Sequence, residues 1–213
     1  MGTIMGLMNG ALIAYGKLPP FIATLGTQKI FRSVTQQLTK TFNPTVPQNF
    51  KLIASARIGG QVILPVIYWI AVIIIMHIIF KKTALGRQTI AIGSNEKAAK
   101  LSGINVSKVK LKIYALSGIM VAIASVIYLA RIGSMDFANA GAGYEMDAIA
   151  AVIVGGTSMA GGKGSLIGAF VGMLIMGVMN NILNSVGVPT FLCDAIKGAI
   201  IIFAVMMQKK DNT

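Results

Sequence analysis

The chain has 213 residues, of which 55% are hydrophobic and only 12% charged, and its mean hydropathy is +0.76. Globular domains carry about a quarter charged residues, so this composition excludes an ordinary soluble fold and points to a polytopic, all-α transmembrane helix bundle. The net charge of +13 invites a nucleic-acid reading. The lysines and arginines, however, gather in short segments between apolar runs, as the positive-inside rule describes, so no nucleic-acid partner is expected.

Residues 1–16 lack a basic n-region and a clean cleavage site, and read as a spanning helix that begins abruptly rather than as a secretory signal. Pro19-Pro20 then opens LPPFIATLGTQKIFR, whose apolar part is short for a span and predicts a broken or tilted helix. Residues 33–60 are polar, contain Pro44, Pro47 and Gly59-Gly60, and predict an extended loop. VILPVIYWIAVIIIMHIIF at 62–80 is the clearest transmembrane helix. The stretch from Lys81 to Lys112 carries eight Lys/Arg and one acid, Glu96, between two apolar runs of bilayer length. A second clear span, 113–130, ends at Arg131. The loop 133–147 holds three of the six acids, and a short apolar piece, 148–160, leads to GGKG. A glycine-notched run at 164–183, a polar patch Asn184–Pro189 and a last span at 191–207 complete the chain.

Parity decides the topology. The Lys81–Lys112 loop and the Lys209-Lys210 tail are the strongest inside signals, so the chain between them crosses an even number of times. The spans 113–130, 164–183 and 191–207 supply three crossings, and 148–160 must therefore be a fourth. Lys163 then lies inside, and Asp136, Glu145, Asp147 and Asn184 outside. Working backwards, residues 33–60 are external, Lys17 is internal, and the whole chain makes about seven crossings. Gly164, Gly168 and Gly172, and likewise Gly118 and Ala122, repeat at intervals of four and read as helix-packing faces.

Few residues offer chemistry. GGTSMAGGKGS superficially resembles a phosphate-binding loop, but Thr157 stands at its first glycine position and Gly164 follows Lys163 where a hydroxyl is needed, so any ATP is bound by another subunit. His77 is the only histidine, near the inner end of its helix, where a structural role is the simpler reading. With one histidine, one cysteine and no metal-ligand cluster, no catalytic residue, metal or cofactor is expected in this chain. Asp194 and Lys197 are three apart and close enough to pair, lining a substrate path or forming an internal structural pair. Glu145 and Asp147 either meet a soluble partner outside or belong to a solvated loop.

Within the basic loop, Ser94 or Asn95 caps a short helix and Gly103 ends it in the left-handed conformation. Ala98 and Leu101 share one face, and Glu96, Lys97 and Lys100 the other. The small-residue face can dock in a groove, or the loop can fold onto lipid headgroups. Ser107 is the expected cap of the following helix, although K-V-K-L-K alone fits a strand.

LGRQTIAIGSNEKAAKLSGINVSKVK, IYALSGIMVAIASVIYLARIGS, YEMDAIAAVIVGGTSMAGGKGSLIGAFVGMLIMGVMNN and DAIKGAIIIFAV resemble the permease subunits of ribose- and galactoside-type bacterial ABC sugar importers. LPPFIATLGTQKIFRSV resembles them too, with Ser33 where a glycine is usual. The resemblance implies a single transmembrane permease domain over residues 1–213, N-terminally incomplete against roughly ten helices in the family, in the bacterial cytoplasmic (inner) membrane. It further implies a second permease copy, a separate ABC ATPase subunit that hydrolyses ATP, and an extracytoplasmic sugar-binding protein. This chain is then a transport subunit and not an enzyme. The family's coupling helix falls on Gly93–Gly103, with Asn95, Ala98, Ala99, Ser102 and Gly103 matching and Leu101 beside them. Glu145 and Asp147 would dock the binding protein, and Thr24, Gln28, Asn180 and Asn181 are candidates for the substrate path of ribose, galactose or a galactoside. The competing class is an ATP-independent secondary transporter or channel, which usually carries more intramembrane charge than Asp194.

Overall fold

Long apolar runs without interior charge set the frame, because a helix satisfies its own backbone polar groups where no water is present. The computed structural model describes residues 1–39, 45–58, 62–134, 136 and 140–210. Among them are ten helices: α1 (Gly2–Ala14), α2 (Pro20–Thr39), α3 (Gln48–Ser55), α4 (Leu64–Lys82), α5 (Ala84–Ser94), α6 (Glu96–Leu101), α7 (Val106–Ile132), α8 (Tyr144–Val154), α9 (Leu166–Ser185) and α10 (Thr190–Lys210). Two short strands, β1 (Arg57–Ile58) and β2 (Val62–Ile63), pair antiparallel before α4. The all-α class holds. Three helices, α4, α7 and α9, are long and apolar enough to cross a membrane by length and composition, and α1 is a shorter apolar helix. Among the described residues these three are the helices that meet the length and composition of a span, against the seven crossings expected.

Several expectations need correction. The segment 33–60 is not an extended loop: α2 runs unbroken for 20 residues to Thr39, and α3 follows. Polarity alone does not end a helix. Thr35 and Thr39 donate their hydroxyls to the carbonyls of Phe31 and Thr35, both at 2.8 Å, which satisfies them without leaving it. Pro47 is the N-cap of α3, with φ −56° and ψ 149°, and the fixed φ of proline suits that non-helical position. Pro44 and Gly59-Gly60 lie outside the described residues. The basic loop is more helical than expected, since α5 occupies its first part. The short apolar piece 148–160 begins earlier and ends sooner as α8. At 11 residues α8 rises about 16 Å, roughly half the hydrocarbon thickness.

The chain divides into two units, one of Met1–Ile75 with Lys100–Ala140 and one of Met76–Ala99 with Gly141–Thr213. In the first, α1 lies directly on α7. A Cβ at Gly2 would stand 2.6 Å from the Gly118 carbonyl oxygen and 2.8 Å from the Ala122 methyl, and one at Gly6 would overlap the Tyr114 carbonyl. The predicted Gly118/Ala122 face is therefore the contact, and only glycines let the two backbones approach this closely. The buried Thr27 of α2 donates to Asn9 of α1 at 2.7 Å.

In the second unit α8 packs on α9 by the same device. Cβ atoms at Gly168 and Gly172 would overlap the carbonyls of Gly155 and Ala151. Gly164 was expected on this face but precedes the helix, against Thr157. Ala150, Ala151 and Met176 form the core of this pair, with Met179 and Ile201 against it.

Candidate functional site

The segment following α5 builds a small, self-capped helix. Asn95 leaves the α5 helix in an extended conformation, and its Oδ1 accepts from the Ala98 N–H at 3.0 Å. Asn95 thus caps α6, while Ser94 belongs to the end of α5. At the other end the Gly103 N–H donates to the Lys100 carbonyl at 3.1 Å, with Gly103 at φ +81°. A left-handed residue there costs a glycine little and other residues more. Ala98, Ser102 and Gly103 are exposed, and Leu101 is 90% exposed. Ala99, by contrast, is buried at 5% and holds the helix down rather than presenting a face. Asn105, not Ser107, caps α7, accepting from the Lys108 N–H at 3.1 Å. Ser107 lies inside the helix, so K-V-K-L-K is helical, and its hydroxyl is 3.4 Å from the Ala14 carbonyl.

The glycine loop between α8 and α9 is packed on the base of this segment. Gly156, Gly161 and Gly162 all have positive φ, at +84°, +90° and +76°, and these left-handed turns fold the loop sharply. Ser158 N–H closes it on the Lys163 carbonyl at 3.0 Å, and Gly161 N–H donates to Ser158 at 3.1 Å. A Cβ on Gly93 would stand 2.7 Å from the Gly162 nitrogen, and one on Gly161 would stand 2.5 Å from the Gly93 oxygen. In sequence this stretch resembles a failed phosphate loop. Its signal was instead the glycine spacing, which permits backbone to lie against backbone. Gly93 is the point where the end of α5 meets this loop.

The acids at the start of α8 are not a loop pair. Lys197 Nζ of α10 lies 2.9 Å from Asp147 Oδ1 and 3.6 Å from Asp194 Oδ1. The predicted Asp194–Lys197 contact exists, yet the shorter bond goes to Asp147. Asp147 and Lys197 are both largely shielded, whereas Asp194 is 69% exposed. Asp147 is therefore committed to joining α8 and α10, and Glu145, half-buried, is the acid left beside it.

In the first unit, Thr24 and Gln28 line a cavity of about 490 Å³ together with Asn9, Thr27, Arg32 and Ser117. Hydroxyls, amides and a guanidinium here offer donors and acceptors in both senses. Arg32 donates to the Ala140 carbonyl, also in the lining, at 3.2 Å. Asn180 and Asn181 lie on α9 in the second unit and do not line this cavity. No group of three or more His, Cys, Asp or Glu side chains among the described residues is arranged to hold a metal ion.

A family profile described as "Branched-chain amino acid transport system / permease component" matches residues 1–205. The chain is 42% identical over 208 residues to the ribose import permease protein RbsC of Bacillus subtilis, covering 96% of this chain and 64% of the relative. It is 39% identical to the RbsC of Escherichia coli K12, over 99% of this chain and 66% of the relative. The galactose/methyl galactoside import permease protein MglC of the same strain is 40% identical, over 98% and 64%. The chain thus spans about two thirds of the length of these curated relatives. No solved structure matches.

Proposed function

The chain belongs to the permease family of branched-chain amino acid transport type, and from that premise we propose that it is the membrane-spanning subunit of an ATP-driven sugar importer. The cargo is a monosaccharide of the ribose or galactose/galactoside class, the substrates named for its relatives. A separate ATPase subunit hydrolyses the ATP, and a sugar-binding protein delivers the cargo on the opposite side of the bacterial cytoplasmic membrane. A second permease copy completes the path. Glu145 is the docking contact for the binding protein, with Asp147 holding the helix that presents it. Thr24 and Gln28 begin the sugar path, whose hydroxyl-rich cargo suits the mixed donors and acceptors of their cavity; Asn180 and Asn181 are its residues on α9.

The observation that carries this reading is α6. It is a capped helix of six residues presenting Ala98 and a nearly fully exposed Leu101, an apolar side chain that gains only by being covered. The Gly93–Gly162 contact ties the end of α5, two residues before α6, to the loop between α8 and α9. Closure of the ATPases would pull α6, and the glycine contact would pass that displacement to α8 and α9, opening the path by alternating access.

Cysteine cross-linking in the assembled transporter tests it. Ala98→Cys and Leu101→Cys should cross-link to the ATPase subunit, while the buried Ala99→Cys should not. Absence of a cross-link at both exposed positions would sink the proposal. In reconstituted vesicles, sugar uptake that survives loss of ATP hydrolysis would favour the ATP-independent class instead.

A further inference from the structure

The second unit contains a cavity of about 590 Å³ that the transport reading leaves unused. His77 and Lys81, one turn apart on α4, line it, and so does Lys163 of the glycine loop. Residues at i and i+4 share a helix face, so the two α4 groups reach the cavity together. No aspartate or glutamate is among its lining residues. Thr89 and Ser165 add hydroxyls, while Phe80, Ile90, Leu166 and Ile167 make part of the wall apolar. The first turn of α9 lies in this wall, with Ser165 capping it through a 3.1 Å bond from the Gly168 N–H. The positive partial charge of a helix N-terminus adds to that of the lysines.

The positive-inside rule accounts for lysines on one side of a membrane. It does not account for three basic side chains converging on one cavity without an acid. Cationic groups and hydroxyls beside an apolar wall match a ligand that is an anion at one end and a hydrocarbon at the other. We propose that this cavity binds the phosphate headgroup of an anionic phospholipid, with Lys81 and Lys163 contacting the phosphate, His77 beside them, and the apolar wall taking the start of the acyl chains. The shared chemistry with a free phosphate is the anion; the apolar wall favours the lipid.

The test is thermal unfolding of the purified chain in neutral detergent, titrated with dioctanoyl phosphatidylglycerol, dioctanoyl phosphatidylcholine or inorganic phosphate. Phosphatidylglycerol should raise Tm saturably, and the other two should not. Lys81→Gln with Lys163→Gln should raise the half-saturating lipid concentration roughly 30-fold, from the loss of two basic contacts. Lys163→Arg alone should keep the affinity. Lys108→Gln with Lys112→Gln removes the same charge from exposed positions on α7 and should change it less than about threefold. Both mutated cavity lysines are exposed, so the Tm without lipid should stay close to that of the parent, which reports folding independently. Equal loss in both double variants would reduce the effect to surface charge and overturn the site. An equal rise with inorganic phosphate, or with phosphatidylcholine, would overturn the lipid assignment. None of these readouts depends on sugar transport.

Discussion

Asn95 and Gly162 show how single residues decide this segment. Asn95 closes α6 through one bond to Ala98. Asn95→Ala should cost about 1 kcal/mol of local helix stability and leave the bundle folded; in the proposed importer, transport per ATP hydrolysed should fall severalfold in reconstituted vesicles. Gly162 has φ +76°, and a Cβ there would approach Ser94 Cα to 2.9 Å. Gly162→Ala should therefore destabilise by more than about 1 kcal/mol, read as a lower Tm of the purified chain. The cap was legible in the sequence, because an N-cap acts on residues two or three positions away. Its partner residue was ambiguous between Ser94 and Asn95 until the end of α5 was known. The role of Gly162 was not legible, since Ser94 lies far from it along the chain and nothing local marks the contact.

At the scale of elements, the small-residue faces of α7 and α9 were readable from their spacing of four, and the contacts at Gly118, Gly168 and Gly172 follow it. The partners of those faces, α1 and α8, were not, because a small-xxx-small stripe does not state which helix lies on it. The acid–base contact between α8 and α10 carries the same lesson. Spacing suggested Asp194 for Lys197, yet Asp147 lies closer. Lys197→Met should strand the shielded Asp147 carboxylate and cost somewhat less than the about 3–5 kcal/mol of a fully buried pair. Asp147→Asn combined with Lys197→Met should recover most of the loss, measured by thermal unfolding in detergent. A purely additive double variant would show that the two side chains do not act as a pair.

For the whole molecule, the membrane class is written in composition, but the path across the membrane is not settled by length alone. The proposed topology needs the segment containing α8 to cross, although its helix is only about half as long as the hydrocarbon layer. The glycine loop would have to complete that crossing, and irregular backbone at that depth needs protein to cover it. The sole cysteine, Cys193, is buried, and a Cys193→Ser background gives clean labelling. In that background, Ala98→Cys and Lys163→Cys should react with an impermeant reagent from the cytoplasmic side, and Val186→Cys from the opposite side. Labelling of Lys163→Cys from the side opposite Ala98→Cys would remove the crossing and the parity argument with it. Hydropathy, charge bias and capping are properties of neighbouring residues, and so the sequence by itself determined an all-α membrane chain, the position of α6 and the resemblance to sugar-importer permeases. The tertiary structure alone decided that the glycine loop lies against the end of α5, that Asp147 takes Lys197, and that His77, Lys81 and Lys163 line one cavity. Each of those depends on residues distant in sequence that only the fold brings together.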